Sequence, residues 1–345
     1  MKESSPSSER LCGIDSIRFL CALWVFCYHY SPPIEIGGHG GLGLIARGVL
    51  GNLWCGPAAV IVFFVISGFC IHHPYAAAAY WPGLRAFYAR RFLRLLPPML
   101  VAMLMGWASG VSMGFMNVSI LWSLLAEFIY YLLYPALLAL RLRLGGWRGL
   151  VIATYAAALG VVLTNPAAPD YPSFGPGLNW LLGLPCWLLG CMLAESVNAR
   201  GLDHGSRNGV WRWRGFILLL GVGCSVLRFH AGIGYPWSLN VFALPATVWL
   251  HREIIYHRAV AAVPWLEWAG RWSYSFYLVH GPAAALFLLL FSAYFSSLLL
   301  QWLLMACFVL GGACLFYFLV ERPSHDLARR AARRLRPPSA VDAGT

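Results

Sequence analysis

The chain has 345 residues, of which 60% are hydrophobic and 11% are Asp, Glu, Lys or Arg, and its formal net charge is +12. Soluble domains carry about 25% charged residues, so this composition excludes an ordinary soluble protein. The basic residues are dispersed among loops rather than gathered on one soluble face, and we therefore predict no nucleic-acid partner. The composition indicates an all-α, polytopic integral membrane protein.

Ten apolar segments recur along the chain, most of them near the length of about twenty residues that crosses a bilayer. Arginines accumulate in alternate loops, as is typical of cytoplasmic loops. Ten crossings with both termini in the cytoplasm fit this distribution, whereas an odd number would place a basic loop or tail outside. The predicted segments are 11–31, 52–72, 95–114, 119–140, 148–164, 178–196, 215–231, 236–250, 273–295 and 298–320.

These segments form one transmembrane domain over residues 11–322, preceded by a cytoplasmic tail, 1–10, and followed by a basic cytoplasmic tail, 323–345. The first segment does not resemble a cleavable signal peptide, because it contains Asp15 and Arg18 and lacks a small-residue cleavage site. The tail sequence LARRAARRL has the spacing of an amphipathic helix on the inner membrane surface, although a disordered anchor is the alternative.

The outer loops and the cysteines carry few functional signals. The two longest outer loops, 32–51 and 165–177, are rich in Gly and Pro, which predicts irregular backbone. The ten cysteines lie mainly within apolar segments and form no CxxC pair. We therefore expect them to pack as free apolar side chains and predict no metal site.

Ionisable residues interrupt the first segment, and such groups at membrane depth are usually functional. Arg18 and His29 are eleven positions apart, so a helix places them on one face, about 16 Å apart along its axis. Asp15, one turn before Arg18, is a suitable ion-pair partner. The alternative is structural, with Asp15 and Arg18 paired and His29 at the interface.

The sequence RAFYARRFLRLLPP, residues 85–98, carries Arg91 and Arg94 one helical turn apart. Two guanidinium groups on one face suit a phosphate-rich ligand, because the planar fork binds phosphate oxygens in pairs. The alternative is topological, in which the arginines only hold this loop in the cytoplasm. The chain has no P-loop and no strand-associated GxGxxG motif.

The fourth segment contains Glu127 within LWSLLAEFIYYLLYP. An unpaired glutamate at this depth is protonated or requires a partner. A glutamate close to His29 would form a general acid/base pair, since a carboxylate fixes the imidazole tautomer and raises its basicity. The sequence does not show whether Glu127 and His29 touch.

Six segments in order resemble the signature segments of the membrane acyltransferase-3 family, which includes O-antigen and exopolysaccharide O-acetylases. One departure lies in the first of them, where Ser16 and Phe19 replace the glycines of the family's Asp-Gly-Leu-Arg-Gly pattern. The six segments are GIDSIRFLCALWVFCYHYSPP, FFVISGFCI, YARRFLRLLPP, LWSLLAEFIYYLLYP, WLEWAGRWSYSFYLVHGP and YFLVERP.

The resemblance implies transfer of an acyl group, commonly acetyl, from acyl-CoA to a hydroxyl of a glycan or another envelope-linked acceptor. His29 matches the family's essential histidine and Arg18 its paired arginine, while Glu127 matches the signature glutamate. The resemblance also implies binding roles, at the acyl-CoA donor or at recurring polar positions, for a further set of residues. These are Arg91, Arg94, Asp15, Ser67 and His280.

In the implied mechanism, His29 acts as general base on the acceptor hydroxyl or accepts the acyl group itself. Acyl-CoA is a substrate and no bound cofactor is expected; the partners are acyl-CoA, a glycan or lipid-linked saccharide, and membrane lipid, in a bacterial cytoplasmic membrane. A transporter that uses Arg18, His29 and Glu127 as a polar pathway is the alternative. A non-catalytic scaffold is a third interpretation.

Overall fold

The computed structural model describes residues 12–34, 41–76, 83–111, 113, 120–199 and 207–335. Across these ranges every regular element is a helix, which confirms the predicted all-α class. Seven helical stretches are long and apolar enough to cross a membrane. They are Arg47–Ala76, Leu84–Ala108, Leu121–Leu144, Tyr171–Asn198, Gly209–His230, Ser273–Tyr294 and Leu298–Arg334.

Thirteen α-helices are found in the described residues. A π-helical turn, Tyr317–Glu321, joins the last two. The helices are α1 (Ile14–His29), α2 (Gly41–Leu53), α3 (Gly56–Ala76), α4 (Leu84–Ala108), α5 (Leu121–Leu144), α6 (Arg148–Thr164), α7 (Gly175–Ala199), α8 (Arg207–His230), α9 (Tyr235–Ala259), α10 (Pro264–Gly270), α11 (Ser273–Phe291), α12 (Leu298–Phe316) and α13 (Arg322–Arg334).

Each of the ten predicted segments coincides with one long helix, but three of these helices fall outside the set of seven. The helices α1 and α6 have 16 and 17 residues, and α9, although 25 residues long, is not among the helices apolar enough to cross a membrane. The number of ten crossings therefore stays a prediction. We call the end of the bundle at which α1 and α4 begin the inner end, and the opposite end the outer end.

The helices α3 and α7 form the closest helix pair of the bundle. A Cβ atom added at Gly68 of α3 would collide with the backbone carbonyl of Trp187, and one added at Gly190 of α7 would collide with that of Val65. Small residues at such crossings let helix backbones pack directly in membranes. This contact fixes α3, the helix that carries Ser67, against α7.

The outer loop 32–51 was predicted to be irregular, and this prediction is wrong for its second half. Residues Gly41–Leu53 form α2. Four glycines lower the helix propensity of this stretch in water, but an apolar environment favours a helix because backbone polar groups must then be satisfied internally. In α2 the apolar positions Leu42, Ile45 and Val49 recur at helical spacing.

The last helix of the described residues packs against the bundle. The helix α12 passes through the π-helical turn into α13, which packs along α4. Residues Arg322–Arg334 thus form an amphipathic helix, as the first of the two alternatives requires, while its position on the inner membrane surface stays a prediction. Residues 336–345 lie outside the described part of the chain.

Candidate active site

A cavity of about 150 Å³ lies between α1, α3, α4, α5 and α11. Apolar side chains form part of its wall, among them Phe63, Phe64 and Leu95. The cavity also brings together five of the residues that the sequence singled out from four separate segments. These are Arg18, Ser67, Arg91, Arg94 and Glu127.

Three guanidinium groups face the inner part of the cavity. Arg18 forms the predicted ion pair with Asp15, with 3.4 Å between Nη1 and Oδ1. Arg91 lies over the Phe87 ring, with its guanidinium carbon 5.7 Å from the ring centre. The Nε atoms of Arg91 and Arg94 are buried and have no hydrogen-bond partner in the described residues. The arginines therefore have hydrogen-bonding capacity left for an anionic ligand.

Hydroxyl groups hold the Glu127 carboxylate. Ser67 donates to its Oε1 at 2.6 Å, and Tyr131, one turn along α5, donates to the same oxygen. Trp187 of α7 in turn donates from Nε1 to the Ser67 oxygen at 3.2 Å. In the described residues Glu127 makes no hydrogen bond to His29, so the structure does not form the pair that the sequence left open.

His29 instead stacks against His280, with ring centres 5.4 Å apart and ring planes 26° apart. His280 is 2% exposed, whereas His29 is exposed at the outer end of α1. Nδ1 of His280 lies 2.8 Å from the Tyr277 carbonyl oxygen, which can only accept a hydrogen bond. Nδ1 therefore carries the proton in neutral His280, and Nε2 carries the lone pair.

The side chains of Ser123 and Tyr277 lie between the cavity and the two histidines. Their hydroxyl oxygens are 2.7 Å apart, and both residues line the cavity. The Tyr277 ring centre is 6.1 Å from that of His280 and 5.7 Å from that of Phe63. Asp15, His29 and His280 are thus outside the cavity wall, and the histidines lie just beyond its outer end.

Glu321 is a buried acidic residue to which the sequence analysis gave no role. It is 0% exposed, and its Oε2 accepts hydrogen bonds from the Ser275 backbone N–H at 3.1 Å and the Ser275 hydroxyl at 2.5 Å. Nε2 of His325 lies 3.3 Å from the other carboxylate oxygen. The sequence signal is an acidic residue that ends the last apolar segment, which resembles an ordinary membrane boundary.

The described residues include no group of three His, Cys, Asp or Glu side chains that could hold a metal ion. None of the ten cysteines forms a disulfide bond in the described residues. Most are buried among apolar side chains, but Cys70 is exposed on the cavity wall close to the three arginines. The polar side chains on the described cavity wall carry guanidinium, hydroxyl, carboxylate and thiol groups.

An all-helical bundle with seven helical stretches of membrane-spanning length among the described residues defines the class of multi-pass membrane proteins. The chain belongs to the acyltransferase-3 family. The sequence model of this family, described as "Acyltransferase domain", matches residues 13–318. It is 26% identical over 318 residues to "Acyltransferase MdmB" of Streptomyces mycarofaciens, covering 80% of this chain and 79% of that protein. No solved structure matches this chain significantly.

Proposed function

We propose that this protein transfers an acyl group, acetyl in the first instance, from acyl-CoA to a hydroxyl group of a glycan or lipid-linked saccharide. The observation that carries the proposal is the convergence of Arg18, Arg91 and Arg94 on one cavity of a chain in the acyltransferase-3 family. Phosphates are the anionic groups of acyl-CoA, and guanidinium groups bind phosphate oxygens with paired hydrogen bonds. We place the protein in a bacterial cytoplasmic membrane, with ten crossings and both termini in the cytoplasm.

In this proposal acyl-CoA enters from the cytoplasmic inner end, where the arginines bind its phosphates. The acyl thioester extends past Glu127 toward Ser123 and Tyr277, because these residues end the cavity on the side of the histidines. Glu127 compensates part of the positive charge of the cavity and is oriented by Ser67 and Tyr131.

His29 is the proposed general base. Its exposure at the outer end of the bundle makes it accessible to an acceptor from the far side of the membrane. As the acceptor oxygen attacks the thioester carbonyl, His29 takes the hydroxyl proton, the carbon–sulfur bond breaks, and CoA leaves as a thiolate that is then protonated. His280 holds the His29 ring by stacking and is itself oriented by the Tyr277 carbonyl.

The test is CoA release from acetyl-CoA in membranes that contain the wild type or the His29→Ala variant, with pooled envelope glycans as acceptor. We expect His29→Ala to lower glycan-dependent release by about 10²–10⁴-fold, the usual contribution of a general base. His73→Ala is the matched control, since His73 is a half-buried histidine of α3 that does not line the cavity.

Equal release by the wild type and His29→Ala would remove His29 from the chemistry. Radioactive acyl label retained on His29 before acceptor is added would replace the base mechanism with a covalent relay. CoA release also separates the enzyme from the transporter and scaffold interpretations, because neither of those cleaves a thioester.

A further inference from the structure

The first residue of α11 places a hydroxyl on the inner part of the cavity wall. Ser273 is 0% exposed and lines the cavity, and its Oγ has no hydrogen-bond partner in the described residues. Buried polar side chains are almost always hydrogen-bonded, because an unpartnered hydroxyl costs free energy. A hydroxyl in this position therefore indicates a ligand atom as its partner.

Ser273 also marks the amino terminus of a 19-residue helix. The first N–H groups of a helix have no partner within the helix, and the helix dipole makes this end partly positive. Glu321, which is not part of the cavity wall, accepts hydrogen bonds from the Ser275 backbone N–H and side chain. Glu321 thus holds the first turn of α11 through Ser275, and the Ser273 hydroxyl is left without a partner in the described residues.

The groups opposite Ser273 are mainly positive. Arg91 and Arg94 line the same cavity with buried Nε atoms that lack a partner, and Arg18 lines it as well. The one carboxylate on the described cavity wall, that of Glu127, is already bound to the Ser67 and Tyr131 hydroxyls. The inner part of the cavity therefore suits an anion that accepts several hydrogen bonds.

We propose that the Ser273 hydroxyl, at the amino terminus of α11, binds a phosphate group of the donor together with Arg91, Arg94 and Arg18. This inference rests on the proposed function and assigns its donor site a residue of α11. Helix amino termini and guanidinium groups are the two common protein partners of phosphate. Small-molecule pockets span about 300–1,000 Å³, so a cavity of about 150 Å³ suits a phosphate or diphosphate portion rather than a whole nucleotide.

Cys70 supplies a direct measure of occupancy, because its exposed thiol lies on the same cavity wall. In a background in which the other exposed cysteines, Cys12 and Cys307, are replaced by Ser, N-ethylmaleimide labelling of Cys70 is followed by mass spectrometry. Inorganic diphosphate and acetyl-CoA, neither of which has a free thiol, are tested as protecting ligands. Size-exclusion chromatography of the purified full-length chain verifies that each variant is folded.

For each ligand we measure the concentration that gives half-maximal protection of Cys70. We expect Ser273→Ala to raise this concentration about tenfold, because the variant loses one hydrogen bond to a charged group. Ser273→Thr keeps the hydroxyl and should retain protection. Ser123→Ala removes a hydroxyl from the opposite end of the cavity and should leave diphosphate protection unchanged.

Equal protection of the wild type and Ser273→Ala by acetyl-CoA would overturn this inference and leave the proposed donor site standing. Protection by acetyl-CoA but not by diphosphate would also overturn it, because the phosphates would then lie elsewhere. Failure of acetyl-CoA to protect the wild type would contradict the proposed donor site itself. Weaker protection by diphosphate in Ser123→Ala would also overturn the inference, because the anion would then bind near Ser123, at the opposite end of the cavity from Ser273.

Discussion

The Ser67 hydroxyl connects three helices at the level of the cavity. It donates to Glu127 of α5 and accepts from Trp187 of α7, while Ser67 itself lies on α3. Glu127 is half-buried, and its hydrogen bonds from two hydroxyls offset part of the cost of removing the carboxylate from water. The orientation of Glu127 is therefore set by α3 and by its own helix, and not by the histidine at the outer end of α1.

Some residues of the candidate site could be predicted from the sequence and others could not. Arg18 and Glu127 were found because a charged group inside an apolar segment is unusual and costly, and Arg91 and Arg94 because two guanidinium groups one turn apart suit a phosphate-rich ligand. Ser273 was not found, because a serine at the start of a helix is common and its missing partner is visible only in three dimensions. His29 was found, but its stacking on His280 depends on packing between distant segments.

The paired N–H donors of the Arg91 guanidinium group are predicted to strengthen donor binding. Arg91→Lys keeps the charge but loses the paired geometry, so we expect the KM for acetyl-CoA to rise about tenfold, the effect of one charged hydrogen bond, with little change in kcat. Steady-state kinetics in purified membranes measure this effect. The control is Arg85→Lys, because Arg85 is an exposed arginine in the first turn of the same helix. An unchanged KM in Arg91→Lys would return Arg91 to a topological role.

At the scale of elements, the contact between α3 and α7 decides how well the site is positioned. Because the backbones touch at Gly68 and Gly190, a single added methyl group must push the two helices apart. Ser67 is the neighbour of Gly68, and its partner Trp187 lies on the opposite helix. A shift between these helices therefore reaches the hydrogen bonds of Glu127 directly.

Gly68→Ala should consequently lower both the thermal stability and the acyl-transfer rate. Overpacking of a tight contact costs about 1–3 kcal/mol, and the displaced Ser67 no longer orients Glu127. Thermal unfolding in detergent and CoA release measure the two effects. Gly160→Ala in α6 is a matched control, since a Cβ there meets no atom within 4 Å. Wild-type stability and activity in Gly68→Ala would contradict this prediction, because the two helices would then accommodate the added methyl group without loss of stability.

The elements themselves were largely predictable, and the exceptions have physical reasons. Runs of about twenty apolar residues predicted the long helices, because a membrane requires internally bonded backbone. Residues 84–94 of α4 lie outside the predicted apolar segment 95–114, because their arginines lower the hydropathy without breaking the helix. The helix α2 was missed because its glycines are typical of loops in water.

For the whole molecule, the distribution of arginine predicts where the termini lie. Both ends should be cytoplasmic if the chain crosses the membrane ten times. An alkaline phosphatase fused after residue 345 should therefore be inactive, whereas one fused after a chain truncated at residue 170, in an outer loop, should be active. Protease protection in spheroplasts provides a second measurement. An active C-terminal fusion would require an odd number of crossings and would contradict the predicted orientation.

The π-helical turn Tyr317–Glu321 restricts which changes of length the chain tolerates. A π turn holds one residue more than the α-helix around it, and this extra residue sets the angle at which Glu321 reaches Ser275. Deleting one residue from the turn would rotate everything after it by about 100° and shift it by about 1.5 Å. Glu321 would then leave Ser275, and the face of α13 that packs on α4 would turn away. Relatives that retain both contacts should therefore align through this segment without insertions or deletions, even where its side chains differ.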